Sequence, residues 1–427
     1  MTFQSGHMRS IIEEFRPGLK PFEAAYRDIH QHPELGRQEK RTSEIAASHL
    51  RTAGYVTTTN IGGYGLTGVL VNGPGPTVLL RADMDALPIR ERTSLPYAST
   101  VETIDTDGEK KPVMHACGHD SHVAAMMGVS TLLANARERW SGTLIILFQP
   151  DEEHGAGARA MLDDKLYSKI PKPDIVLGQH LAPFKTGVVL IRSGVFMASA
   201  DTFKVTIFGR GSHGARPQDS IDPVVLAASI ILRLQTVVAR EIGPEDVASV
   251  TCASIHGGKA HNVIPDEVEI ILNIRTFEPS VREKVLAAVK RIIRGEAIAS
   301  GVVKEPDVDL IVSYPLTVND PPATQKLTEV FTSYFDNNRT WEAPRHTASE
   351  DFSLLASSIK VPSIFWNFGG VDPEKWEQYE RTRDPKLIPN SHQDNYAPVI
   401  EPTLKTGIDA MSLAALTFLK TDADDGG

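Results

Sequence analysis

The chain predicts a two-domain α/β protein whose main sheet is interrupted by a compact α+β insertion. Three observations carry this expectation. Up to about residue 191, helical stretches alternate with short apolar runs of buried-strand character, the order that builds a sheet flanked by helices. Near Ser199 the texture changes, and it changes back after Asn319. In the outer segments, side chains able to hold a metal follow the apolar strands, at the edge where open α/β sheets form their sites. The expected boundaries are 9–198 and 317–421 for the α/β part and 199–316 for the insertion.

Taken in order, residues 42–53 read as a helix and 77–80 as a buried strand followed by Asp83 and Asp85. His115-Ala116-Cys117-Gly118-His119-Asp120 falls at a strand-to-helix turn. The apolar run 143–148 precedes Gln149-Pro150-Asp151-Glu152-Glu153-His154-Gly155, and the strand 174–177 precedes His180. Four separate pieces of chain therefore converge on one rim. The insertion reads as strand 203–208, helix 223–239, strands 248–255 and 267–275, helix 281–298 and strand 308–313. The α/β texture resumes with strand 361–368, a loop carrying Ser391-His392 and a closing helix 403–419. There is no internal repeat, and the acidic tail 422–427 is expected to fray. Residues 3–8 look like the scar of a cleaved tag, which places the natural start at Met8 and removes His7 from the candidate ligands.

Composition narrows the function classes. The 427 residues are 41% hydrophobic and 7% aromatic, an ordinary globular balance with material for two domains and a large core. A formal charge of −10, without a basic stripe, argues against a nucleic-acid partner, which clustered Lys and Arg would have to bind. No apolar run approaches the roughly 20 residues that span a bilayer, and the N-terminus lacks a secretory pattern. The expectation is a soluble cytoplasmic protein. Two cysteines, Cys117 and Cys252, allow at most one disulfide, which a chain of this size does not need.

The chemistry lies in two clusters. A Cys-x-His pair, Cys117 and His119, can point a thiolate and an imidazole at one cation, although a lone cysteine is more often an inert core residue. Three consecutive carboxylates after a buried strand are usually a solvated acidic loop. The alternative is that one binds a metal while its neighbour serves as general base on an attacking water. His180 alone reads as a satisfied histidine at a strand end, His213 between glycines as a turn residue, Arg275 as a surface cation, and Asp83 or Asp85 as a helix cap.

Several ordered motifs shift that balance: His32-Pro33-Glu34-Leu35-Gly36, Arg81-Ala82-Asp83-Met84-Asp85-Ala86-Leu87-Pro88, Cys117-Gly118-His119-Asp120, residues 149–155, residues 211–217, Asn262-Val263-Ile264-Pro265 and Ser349-Glu350-Asp351-Phe352. With them the chain resembles, from His32 to Pro398, the metal-dependent aminoacylase and carboxypeptidase superfamily, in the branch of hippurate hydrolases and auxin-conjugate amidohydrolases. The resemblance implies a zinc-peptidase-like catalytic domain with a ferredoxin-like lid and dimerisation domain. It implies two divalent cations (zinc, manganese, cobalt or nickel) on Cys117, His119, Glu153, His180 and His392, with the thiolate bridging. It assigns Glu152 as the catalytic carboxylate, Asp83 as an acid that orients a ligand, His213 as the lid histidine that stabilises the oxyanion, and Asn262 and Arg275 as holders of the substrate carboxylate. The implied substrate is an N-acyl amino acid or a related small amide conjugate, and the implied assembly a homodimer through the lid. His154, Asp151 and Gln218 depart from the branch pattern, and they touch the acyl group and pH optimum rather than the reaction type.

Three rivals stand beside this reading. A dipeptidase or carboxypeptidase would use the same machinery. A cysteine hydrolase would use Cys117 as nucleophile and His119 as base, leaving Glu152 and Glu153 unexplained. A binding protein on a dead scaffold would have no physical reason to keep a base beside the metal.

Overall fold

The computed structural model describes residues 3–422, with side chains from residue 6 onward. Residues 423–427 of the acidic tail lie outside that range. The chain forms two compact units: Met1–Phe196 with Val318–Pro344 and Asp351–Gly427, and Met197–Thr317 with Arg345–Glu350.

The first unit is built on a nine-stranded sheet. Its strands run in the order Val56–Ile61, Gly65–Asn72, Trp140–Gln149, Thr77–Asp83, Ile175–Lys185, Ser363–Val371, Val189–Ile191 and Thr340–Glu342, and Lys420–Thr421 adds to Trp140–Gln149. The four central strands, from Trp140–Gln149 to Ser363–Val371, pair in parallel. Parallel strands are covered on both faces and read as continuous apolar runs. Val78, Leu79 and Leu80, and Leu144 through Phe148, are accordingly inaccessible to solvent. Each such Leu or Ile contributes about 2 kcal/mol by leaving water.

The helix His119–Asn135 is buried over most of its length, against the closing helix Thr403–Phe418 among others. Its Gly128 permits the close approach: a β-carbon there would come within 2.4 Å of Ile408 Cδ1. The element carrying His180 runs well beyond the predicted 174–177, to Lys185, because its ladder with Ser363–Val371 continues through residues that are not uniformly apolar.

The second unit is the α+β fold expected. Four antiparallel strands lie in the order Ala248–Gly257, Glu267–Thr276, Ser199–Phe208 and Asp307–Tyr314. Alternate residues Phe203, Val205, Ile207, Val268, Ile270, Leu272 and Ile274 form one core with the helices Pro223–Arg240 and Pro279–Ala299. Asp222 caps the first of these helices by accepting from the amides of Val224 and Val225. That helix is long and apolar enough by composition to cross a bilayer. Its Leu226, Ile230, Leu234 and Val237 recur at helical spacing and are buried in this core, so the apolar stripe is accounted for by packing.

Candidate metal centre

In the first unit the sheet brings four segments to the carboxyl ends of the parallel strands. Cys117 and His119 flank Gly118, whose φ of +86° turns the chain into the helix His119–Asn135. Side chains avoid that conformation, and a β-carbon at Gly118 would also meet Leu181 Cδ2 at 2.7 Å. Glu152 and Glu153 sit on the turn that follows Trp140–Gln149. His180 lies on Ile175–Lys185. His392, at φ +69°, is tied by its amide to the carbonyl of Ala116 at 2.8 Å.

Distances show what these groups face. Ligand atoms of Cys117, His119 and Glu153 lie within 4.8 Å of one another, as do those of Asp83, His119, His122 and His180. The two groups share His119. Its Nε2 stands 3.7 Å from Asp83 Oδ2, 3.8 Å from Glu153 Oε1 and 4.0 Å from Glu152 Oε2. Cys117 Sγ is 3.5 Å from His180 Nε2, and His392 Nε2 is 3.3 Å from Glu153 Oε2. The sheet thus gathers Cys117, His119, Glu153, His180 and His392 around one place, with Glu152 beside them.

The donor set suits divalent cations. His119 Nε2 is buried and has no hydrogen-bond partner, a state buried polar atoms rarely keep without an ion or water. Burial opposes charge on His119, yet Asp83 and Cys117 hold its pKa well above the usual histidine range. That is the signature of a ring surrounded by acceptors. Burial and the Glu153 charge push the Cys117 thiol up, so a cation is what would draw out its thiolate. His392 is pushed up to about 10 by Cys117 and Glu153. Sulfur, imidazole and carboxylate donors in this number exceed what one tetrahedral ion needs and fit two.

Tautomers separate ligands from supports. His180 donates Nδ1–H to the carbonyl of Leu181 at 2.6 Å, which leaves the Nε2 lone pair for a metal. Burial lowers its pKa to about 3 and keeps the ring neutral. His122 is engaged on both sides. Its Nε2 accepts from the amide of Leu181 at 2.8 Å and its Nδ1 donates to Asp83 Oδ1 at 2.5 Å. It therefore orients Asp83 rather than binding an ion.

Asp83 receives Arg81 Nη1 at 2.7 Å as well. The carboxylate facing His119 Nδ1 is that of Asp85, at 3.3 Å. Arg81 is fully buried, and its Nε donates to Gln149 Oε1 at 2.9 Å, which braces the ends of two parallel strands. Sequence reasoning passed over His122, Arg81 and Gln149. Their signal was the polar residue inside an apolar run, which always needs a partner. Asp151, at φ +52°, accepts from Arg37 Nε at 2.8 Å and pairs with His154 Nδ1 at 2.6 Å, so two residues that depart from the branch pattern are partners.

His213, Asn262 and Arg275 belong to the second unit. His213 lies on the short strand Ser212–His213 paired with Val263–Ile264, and the amide of Gly214 donates to the carbonyl of Asn262 at 2.7 Å. These two are brought together. His213 Nδ1 accepts from the amide of Ala215 at 3.0 Å, so in the neutral ring Nε2 carries the proton and is a donor. Arg275 is on another sheet, where its Nη1 donates to the carbonyl of Thr347 at 2.6 Å and its Nε to Asn273 Oδ1 at 3.0 Å.

Comparison with known proteins adds to this geometry. Residues 79–392 match the model of peptidase family M20/M25/M40. The chain is 35% identical over 359 residues to the hippurate hydrolase of Campylobacter jejuni, covering 83% of this chain and 90% of that protein. It is 33% identical over 420 residues to thermostable carboxypeptidase 2 of Saccharolobus solfataricus, covering 96% and 99%. Among solved structures, a dinuclear metal binding peptidase of the M20 family from Bacillus subtilis superposes with a TM-score of 0.73 at 27% identity, covering 93% of this chain and 97% of that one.

Proposed function

The chain belongs to peptidase family M20/M25/M40 and is a metal-dependent amidohydrolase; from that premise we propose that it cleaves the amide bond of N-acyl amino acids with Glu152 as general base and acid. The observation that carries the assignment is a carboxylate, Glu152, adjacent in sequence to a ligand carboxylate and 4.0 Å from the ring nitrogen of a second ligand. Cys117, His119, Glu153, His180 and His392 would hold the two cations. When bound, the pair lowers the pKa of a water and polarises the substrate carbonyl.

Glu152 takes one proton from the attacking water and delivers it to the amide nitrogen as the C–N bond breaks. The products are a carboxylic acid and a free amino acid. His213 offers an Nε2–H to the developing oxyanion, a role supported by its tautomer and by the resemblance of its motif. Asn262 and Arg275 hold the substrate carboxylate, for which a guanidinium is suited. The His213→Ala variant is expected to lose about 10²-fold in kcat, the usual effect of removing one oxyanion donor; an unchanged kcat would remove His213 from the reaction.

The similarity to a carboxypeptidase favours a second reading, release of C-terminal residues from peptides. A panel of N-acetyl, N-benzoyl and indole-acetyl amino acids beside dipeptides and blocked peptides, followed by amine release, distinguishes the two. Preference for acylated single amino acids supports the first reading, and preference for peptides supports the second. The ligand types admit zinc, manganese, cobalt or nickel, and metal analysis of protein purified without added metal decides among them. We also propose a homodimer through the second unit, supported by Val224, Val225 and Leu232, which its apolar helix leaves exposed. A monomer in light scattering at micromolar concentration would refute that.

A further inference from the structure

The turn bearing Glu152 must hold two adjacent carboxylates toward the same place, against their mutual repulsion. Its far side closes on itself, with Gly155 N–H donating to the carbonyl of Glu152 at 2.7 Å and Gly157 N–H to that of Asp151 at 2.9 Å. Its near side does not. There the amide of Asp151 donates to Glu39 Oε1 at 2.7 Å and the amide of Glu153 to Asp85 Oδ2 at 2.9 Å. The two amides on either side of Glu152 are thus tied to carboxyl groups from elsewhere in the unit. Glu39 directly precedes the helix Lys40–Thr52, and Asp85 lies just beyond the strand Thr77–Asp83.

Asp85 already has a reason to be where it is, beside His119. Glu39 has none in the metal chemistry. It is fully buried, and its second oxygen, Oε2, has no hydrogen-bond partner. A buried carboxyl with an unmatched oxygen destabilises a fold, so an apolar residue would serve packing better. Outside its own loop and the helix start that it occupies, its side chain bonds to the turn.

We propose that Glu39 is a positioning residue, which aims the Glu152 carboxylate by anchoring the Asp151 amide. The inference rests on Glu152 being the base. Arg37 and His154 hold the side chain of the same residue, Asp151. Burial, with the nearby charge of Asp85, raises Glu39 to about 8. Glutamine is its close replacement, of the same shape and with the Oε1 acceptor retained.

The test compares Glu39→Gln with Glu39→Met, which preserves volume and removes the acceptor, in the metal-loaded full chain. Turnover, bound metal and hydrogen exchange of the segment 149–157 are measured together, the exchange also in metal-free protein. In Glu39→Met, kcat is expected to fall by about 10²-fold, the effect of a misplaced catalytic group, with KM nearly unchanged. Metal content stays as in the parent, and the Asp151 amide exchanges faster. Glu39→Gln is expected to restore both kcat and protection. Parent-like turnover in Glu39→Met, equal losses in the two variants, or a loss of kcat without faster exchange would each overturn the proposal. Retained turnover in Glu152→Gln would instead remove the base on which it rests.

Discussion

Glu152→Gln is expected to lower kcat by about 10³-fold while both cations stay bound, because a positioned base contributes on that order and glutamine keeps the shape without the proton affinity. The proposed ligand atoms all lie on other residues, Cys117, His119, Glu153, His180 and His392, so the substitution leaves the donor set whole. Metal content measured beside turnover makes the result specific. A loss of kcat with loss of metal would show that Glu152 is a ligand. Parent-like kcat with full metal content would place the base elsewhere, and the first residue to examine would be Asp83, 3.7 Å from the same His119 nitrogen.

The second large effect expected is on removal of the cations. A chelator should abolish turnover, and manganese or zinc should restore it. It should also lower thermal stability, because ions that bind only the folded state stabilise it, by about 4 kcal/mol at a thousandfold excess over Kd. The site gives a reason beyond mass action. His119 is enclosed by Asp83, Asp85, Glu152 and Glu153, and the carboxylates lose the countercharge that holds them together when the ions leave. Undiminished turnover in protein shown to be metal-free would reject this chemistry. It would favour the thiol alternative, with Cys117 as nucleophile and His119, whose ring nitrogen lies within 4.8 Å of the Cys117 sulfur, as base.

Much of the fold could be read from residue patterns, with limits that have physical causes. The runs at 77–80 and 143–148 announced buried strands, which the structure pairs in parallel, because strands covered on both faces must be apolar throughout. The strands Val56–Ile61 and Gly65–Asn72 went unread. Val56–Ile61 is the edge strand, where water dilutes the apolar signal, and Gly65–Asn72, one strand further in and mostly buried, has Gly65, Thr67 and Gly68 breaking its apolar run. The strand bearing His180 looked shorter than it is, since its last residues are held by backbone pairing to Ser363–Val371 and not by apolar character.

The site divides in the same way. Residue type and order marked Cys117, His119 and the carboxylates 151–153 as possible donors, and the resemblance carried by the ordered motifs supplied the rest of the set, His180 and His392 among them. What only the tertiary structure decided is which groups work on which. Asp83 and Asp85 are two residues apart at a strand end and equivalent by pattern, yet one pairs with His122 and Arg81 and the other faces His119 Nδ1. Glu39, more than a hundred residues from Glu152, meets the base-bearing turn through a backbone amide. Such contacts depend on where the backbone bends after each strand and on which ring nitrogen carries the proton. Both are set by hydrogen bonds between segments distant in sequence, and no local pattern of residues records them.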